Sequence, residues 1–317
     1  MKGWKILLGA GAVAAATEYG ITDYFFKRTM IRQNASTDRT IKMAGTNWAS
    51  YMPMMKELKK WMLQQPREDV YIHSQDGLKL HATYFPGDEG NNIVICFHGY
   101  TSKGMSDYIG LSNYFLKRGY RMLLVDQRAH GDSEGTYIGF GCLDRLDAMR
   151  WIRYAEKIVG ENCEILLHGT SMGGATVLMT SGLELPSSVK GIISDCAFTS
   201  AWEVFSHVLK SMYHMPPFPL INLADKMVRE KAGYGLAQCD ASVEVQKAKV
   251  PILFIHGDSD TFVPCWMCHK IYDNCASGKD KLIIHGAGHA ESFYKERGLY
   301  ERKLTEFIEK KVETKGV

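Results

Sequence analysis

From residue 92 onward, short apolar runs alternate with longer amphipathic stretches. The runs NIVICFH (92–98), RMLLVD (121–126), CEILLH (163–168), VKGIISD (189–195), VPILFIH (250–256) and KLIIH (281–285) are rich in Val, Ile and Leu, with little polar alternation. That pattern is expected of strands covered on both faces. Between them, SDYIGLSNYFLKRG, CLDRLDAMRWIRYAEKIVG, SMGGATVLMTSGLEL and ESFYKERGLYERKLTEFIEKKV have helical length. The alternation predicts an α/β fold, a mostly parallel central sheet with helices on both faces. Upstream, DVYIHS, the turn Gln75-Asp76-Gly77 and LKLHATYF predict a β-hairpin. A helix is predicted over 53–65, with Pro53 in its first turn.

The rhythm breaks once, over residues 199–249, which are helical in pattern and dense in Met, Tyr, Phe and Pro. No repeat, low-complexity tract or linker separates two domains. The expected organisation is an N-terminal extension over 1–68 and one domain over 69–312, with a helical cap inserted at about 199–249. At 317 residues the chain is long enough for that core.

The N-terminus admits three readings. Lys2 and Lys5 precede an uncharged run from Ile6 to Thr17, and Ala14-Ala15-Ala16 resembles a signal cleavage site. The run is too short to span a bilayer, and extending it to Phe26 brings in Glu18 and Asp23. Lys27, Arg28, Arg32, Arg39 and Lys42 follow it and outnumber the basic residues before it, against simple export. A signal peptide, an anchor helix over 4–26 and a helix packed on the protein's own body all fit. The expectation adopted is membrane contact through residues 1–26, with a cytoplasmic location as the alternative.

Charge and cysteines narrow the classes further. The net charge of +3 is spread among acids without a basic stripe, which argues against nucleic acid as a partner. Cys96, Cys163 and Cys196 lie in or beside strand runs, where a thiol packs as a small hydrophobe. Cys265, Cys268 and His269 lack a second ligand pair beyond Cys275, so scattered reduced thiols are expected rather than a zinc site.

Gly169-Thr170-Ser171-Met172-Gly173 is G-x-S-x-G directly between a buried-type strand and a helix. A hydroxyl there projects only from a very tight turn, and small flanking residues let strand and helix approach. A serine hydroxyl needs a base, and the base an orienting acid. His289, in the Gly-rich loop 286–290 after the last strand, is the base candidate; His285, which closes that strand, is its competitor. Asp260, after the penultimate strand, is the acid candidate, ahead of Asp195, while Asp258 is expected to shape the turn. His168 and His256 end strands and are expected to satisfy polar neighbours. The oxyanion donors expected are the backbone N–H groups of Met172, at a helix N-terminus, and Tyr100, after Gly99. His98 is expected to be structural. Asp126, His130 and Asp132 match no ligand spacing and have Arg128 beside them, so that loop is read as a hydrogen-bonded turn.

Together, HGY (98–100), DQRAHGDS (126–133), GTSMGG (169–174), HGDSDTFVP (256–264) and GAGHA (286–290) resemble the α/β-hydrolase superfamily. The similarity runs over about residues 68–312 and is nearest the bacterial serine aminopeptidase-type and carboxylesterase-like branch. It implies Ser171, Asp260 and His289 as catalytic triad, Tyr100 and Met172 as oxyanion hole, and a cap after Asp195. The expected activity is hydrolysis of ester-type acyl bonds through an acyl-enzyme on Ser171, on a small-molecule substrate with an apolar acyl or alkyl group. No cofactor and no metal are called for. Aminopeptidase-like activity, hinted at by Glu203 and Asp225 as an amine pocket, and acyl-thioesterase activity are the rivals. A non-catalytic binding scaffold is the rival of another class.

Overall fold

A computed structural model describes residues 2–32, 46, 48–88 and 90–312, apart from the side chains of residues 2–15, 311 and 312. The chain opens with helices α1 (Lys2–Thr29) and α2 (Met52–Leu63). The hairpin β1 (Glu68–His73) and β2 (Lys79–Phe85) follows, then β3 (Asn92–Phe97), α3 (Gly104–Asp107), α4 (Ile109–Leu116) and β4 (Arg121–Val125). Next come α5 (Asp144–Val159), β5 (Glu164–Thr170), α6 (Met172–Thr180) and β6 (Val189–Asp195). Helices α7 (Ala201–Ser211), α8 (Leu220–Ala232) and α9 (Ala241–Glu244) lie between β6 and β7 (Ile252–Gly257). The chain ends with α10 (Trp266–Asn274), β8 (Lys279–Ile284), α11 (Ser292–Lys295) and α12 (Arg297–Phe307).

Among the described residues the strands form one sheet, ordered β1-β2-β4-β3-β5-β6-β7-β8. β1 and β2 pair antiparallel, as do β2 and β4; every later pairing is parallel. The predicted fold class is the one adopted. The missing alternation has a direct cause. On β3, Ile93, Ile95 and Phe97 enter the core layer that holds α5 and α6, while Val94 and Cys96 enter the layer that holds α2, α4 and α12. Both faces of the strand are therefore apolar, and each such side chain contributes about 1.5–3 kcal/mol on burial.

The last turns of α1 pack against α8, with Phe26 and Met30 buried in the core. Backbone bonds then fix the chain to the body: Ile138 N donates to Met30 O (2.8 Å) and Arg32 N to Thr136 O (2.7 Å). The Arg32 guanidinium also donates to Gly131 O at 2.6 Å and to Ser133 O. Among the described residues no helix is long and apolar enough to cross a membrane. The thiols are less scattered than expected, since the Sγ atoms of Cys142 and Cys239 lie 2.7 Å apart. Cys268 is in the core, whereas Cys265 pairs with His269 at the surface (3.7 Å).

Candidate active site

Ser171 sits between the end of β5 and the start of α6 with φ 54° and ψ −113°. This left-handed conformation is unfavourable for a residue with a side chain. The turn holds because its neighbours are glycines. A Cβ on Gly173 would meet Phe97 O at 1.9 Å, and one on Gly169 would meet Gly173 O at 2.1 Å. Ser171 N donates to Asp195 O (2.8 Å), which ties the turn to the end of β6.

His289 comes from the loop after β8, and its Nε2 lies 2.8 Å from Ser171 Oγ. Its Nδ1 lies 2.7 Å from Asp260 Oδ2. Asp260 Oδ1 accepts from the N–H groups of Phe262 and Val263, each at 2.9 Å. Burial pushes the Asp260 carboxyl up, but the facing imidazoles of His289 and His256 outweigh it and hold the group well below the ordinary carboxylate range. An ionised Asp260 keeps the imidazole proton on Nδ1, leaving Nε2 as an acceptor for the serine hydroxyl.

The alternatives lie elsewhere. His285 is fully exposed and bonded through Nδ1 to Asp258 Oδ2 (2.7 Å), and Asp258 Oδ1 accepts from Gly286 N (2.7 Å). Asp195 is buried beside the site, and burial raises its carboxyl to about 6. His256 donates from Nε2 to Val263 O (2.7 Å), with Asp260 Oδ2 a further 3.3 Å contact. Buried His168 bonds to the hydroxyls of Tyr108 (2.9 Å) and Tyr300 (3.2 Å).

Met172 is the first residue of α6, where N–H groups are not used by the helix. Tyr100 lies in the loop after β3; a Cβ on the preceding Gly99 would stand only 3.5 Å from Ser171 Cβ. Ser171, Tyr100 and Thr101 line one cavity, whose other walls are mostly apolar side chains such as Phe140, Phe198 and Phe262, with Arg28 also on the wall and about 1200 Å³ of empty space including its open mouth.

The polar loop after β4 forms a hydrogen-bonded turn. Asp126 Oδ2 accepts from Asp132 N (3.0 Å) and pairs with His81 Nδ1 (2.8 Å), and Oδ1 accepts from Gly104 N (3.0 Å). His81, Asp126 and Asp132 each bring a ligand atom within 4.8 Å of the others, but these hydrogen bonds already occupy Asp126 and His81 Nδ1. Arg128 is gripped by Asp147 (2.7 and 2.8 Å) and Asp76 (both 3.0 Å).

Comparison with known proteins agrees with this architecture. The family described as alpha/beta hydrolase fold matches residues 92–234. An uncharacterised Bacillus subtilis protein, YqkD, is 27% identical over 306 residues, covering 96% of this chain and 97% of its own. An esterase from Pyrococcus furiosus superimposes with a TM-score of 0.65 at 21% identity, over 81% of this chain and 94% of that one. The matched family and these solved structures show the α/β-hydrolase fold for this chain. Est1E from Butyrivibrio proteoclasticus, solved with ferulic acid bound, has the same fold (TM-score 0.60, 20% identity, 77% and 99% covered).

Three side chains hold the loop beside Ser171: Asp107, which sequence reasoning did not single out, and Gln127 and His130 of the loop read from sequence as a hydrogen-bonded turn. Asp107 accepts from Gly99 N (2.6 Å) and from the Ser102 hydroxyl. Gln127 donates to His98 O (2.6 Å) and accepts from the Thr176 hydroxyl (2.8 Å), joining the loops after β3 and β4 to α6. His130 accepts from Thr101 N through Nε2 (3.3 Å) and donates from Nδ1 to Arg128 O (3.0 Å). Burial lowers the His130 imidazole to about 3, which keeps it neutral and able to accept. Nothing in the sequence marks Asp107, because its partners, Gly99 N and the Ser102 hydroxyl, meet it only once the turn between β3 and α3 is folded.

Proposed function

We propose that this α/β-hydrolase is a serine esterase that cleaves small apolar esters through an acyl-enzyme on Ser171. The observation that carries the reading is the hydrogen-bonded chain from Ser171 Oγ through His289 to Asp260, opening on an apolar cavity. In the first half-reaction Ser171 Oγ attacks the ester carbonyl while His289 Nε2 takes its proton. Asp260 steadies the imidazolium, and the N–H groups of Met172 and Tyr100 receive the oxyanion. The intermediate expels the alcohol, which takes the proton from Nε2. Water then attacks the acyl-enzyme with the same imidazole as base, releasing the acid and restoring the serine hydroxyl.

Residues 199–249 serve as the cap of a domain spanning 69–312, preceded by the extension 1–68, because α7 and α8 supply walls of the cavity. The amine pocket that a peptidase needs has little support. Glu203 is bound to Lys270 (2.6 Å), and Asp225 to Arg229 (2.8 Å) and Leu236 N (2.6 Å); neither lines the cavity. The esterase neighbour and the ferulic acid held by Est1E favour an ester. A fluorophosphonate probe should label the wild type and fail on Ser171→Ala; labelling that survives the substitution would overturn the assignment.

A further inference from the structure

The cavity that contains Ser171 is walled on one side by a segment outside the hydrolase motifs. Thr22, Phe25, Phe26 and Met30 of the N-terminal segment line it together with side chains of α7 and α8. We infer that α1 is the chain-length gauge of this enzyme, and that the substrate is an ester bearing one long, unbranched hydrocarbon acyl chain laid between α1 and the cap. The inference rests on the serine-esterase reading and adds the substrate class and the residues that select it.

Three observations support it. First, the wall is a fixed part of the body. Phe26 and Met30 are 2% exposed, Phe25 packs edge-on against Tyr213 of the cap (ring centroids 4.9 Å), and the Tyr100 hydroxyl donates to Arg28 O (3.3 Å). The same helix thus touches the cap and the loop proposed to hold the oxyanion. Second, Arg28 apart, the side chains that this segment gives the wall are apolar or carry hydroxyls already in use. The hydroxyls of Thr22 and Thr29 are spent on their own helix, donating to Glu18 O (2.8 Å) and Phe25 O (2.7 Å). Away from Arg28, a polar group along this arm would lose hydration and regain few partners. Third, one cavity is lined both by Ser171 and by Thr22 of α1 and Val228 of α8, so apolar surface continues away from the reacting serine toward the gap between α1 and the cap.

Kinetics on p-nitrophenyl esters from acetate to laurate, with the full-length chain, tests this. Each buried methylene gains up to about fourfold, so kcat/KM should rise by about a hundredfold or more from acetate to octanoate. Thr22→Trp, which fills the cavity from α1, should cut the laurate value by about tenfold or more while leaving butyrate within about threefold. Should that variant fail to fold, as read by its thermal melt, Phe25→Ala carries the test, and its laurate-to-butyrate ratio should fall by about fivefold. Labelling rates with dodecyl and ethyl fluorophosphonates should follow the same order in each variant. A flat or falling chain-length profile, with Ser171 still labelled, overturns the inference and leaves the esterase reading standing. A rising profile that neither variant alters removes α1 from the role. No labelling and no turnover at any length would instead defeat the esterase reading itself.

Discussion

The backbone of Ser171 carries strain that its surroundings enforce. A non-glycine residue at positive φ costs on the order of 1–3 kcal/mol, and here the hydrogen bond to Asp195 O and two glycine contacts hold it. The division of labour between the two nearby carboxylates is testable. Asp260 is ionised and faces His289, whereas Asp195 is raised to about 6 and gives its backbone carbonyl to the Ser171 turn. Asp260→Asn should lower kcat by about 10³–10⁴-fold with little change in KM, whereas Asp195→Asn should stay within about tenfold. A large loss confined to Asp195→Asn would reverse the roles. Ser171, Asp260 and His289 were legible as candidates because each follows an apolar run that ends a strand. Asp107 was not, and of Gln127 and His130 only their place in a hydrogen-bonded turn was legible, since their contacts to His98, Thr101 and Thr176 exist only in the fold.

The strand pattern was readable because β3 to β7 are apolar on both faces, and differences of one or two residues at the ends do not move the site. The long predicted helix at 291–312 breaks instead at Glu296, where φ −130° and ψ 54° leave the helical region between α11 and α12. The part least legible was α1. Its charges, Glu18 and Asp23, made every reading of the apolar run uneasy; in the fold Asp23 pairs with Lys27 (2.6 Å), while Phe26 turns into the core. The contact between α6 and β3 is the tightest of those at the site. Gly173→Ala should destabilise by about 3 kcal/mol or more, measured by urea unfolding, because its Cβ would strike the Phe97 carbonyl at 1.9 Å. Wild-type stability in that variant would show that β3 and α6 can separate. Asp107→Ala should release the 99–102 loop and lower kcat by about 10–100-fold at near-constant KM, read by steady-state kinetics.

The molecule as a whole also carries buried carboxylates whose titration opposes folding. Asp144 is buried beside the turn before α5, accepts from Gly141 N (2.8 Å), and is raised by burial to about 6. Its native pKa lies above its unfolded one, so the folded state binds more protons between about pH 4 and 6. That stabilisation is fully present below about pH 4 and is lost as pH rises through about 6. Asp144→Asn should therefore gain on the order of 2 kcal/mol relative to wild type at pH 8 and little at pH 4.5, measured by urea unfolding at both pH values. An equal effect at both would place the carboxyl's titration outside this range.

The predictions on activity presuppose one nucleophile, set by a strained turn and served by one imidazole. The most direct measurement is the turnover of p-nitrophenyl butyrate by wild type and by Ser171→Ala, with folding matched by circular dichroism. The account predicts turnover by the wild type and a loss of at least about 10⁴-fold in kcat/KM for Ser171→Ala. Hydrolysis by Ser171→Ala at a rate comparable with the wild type would contradict it.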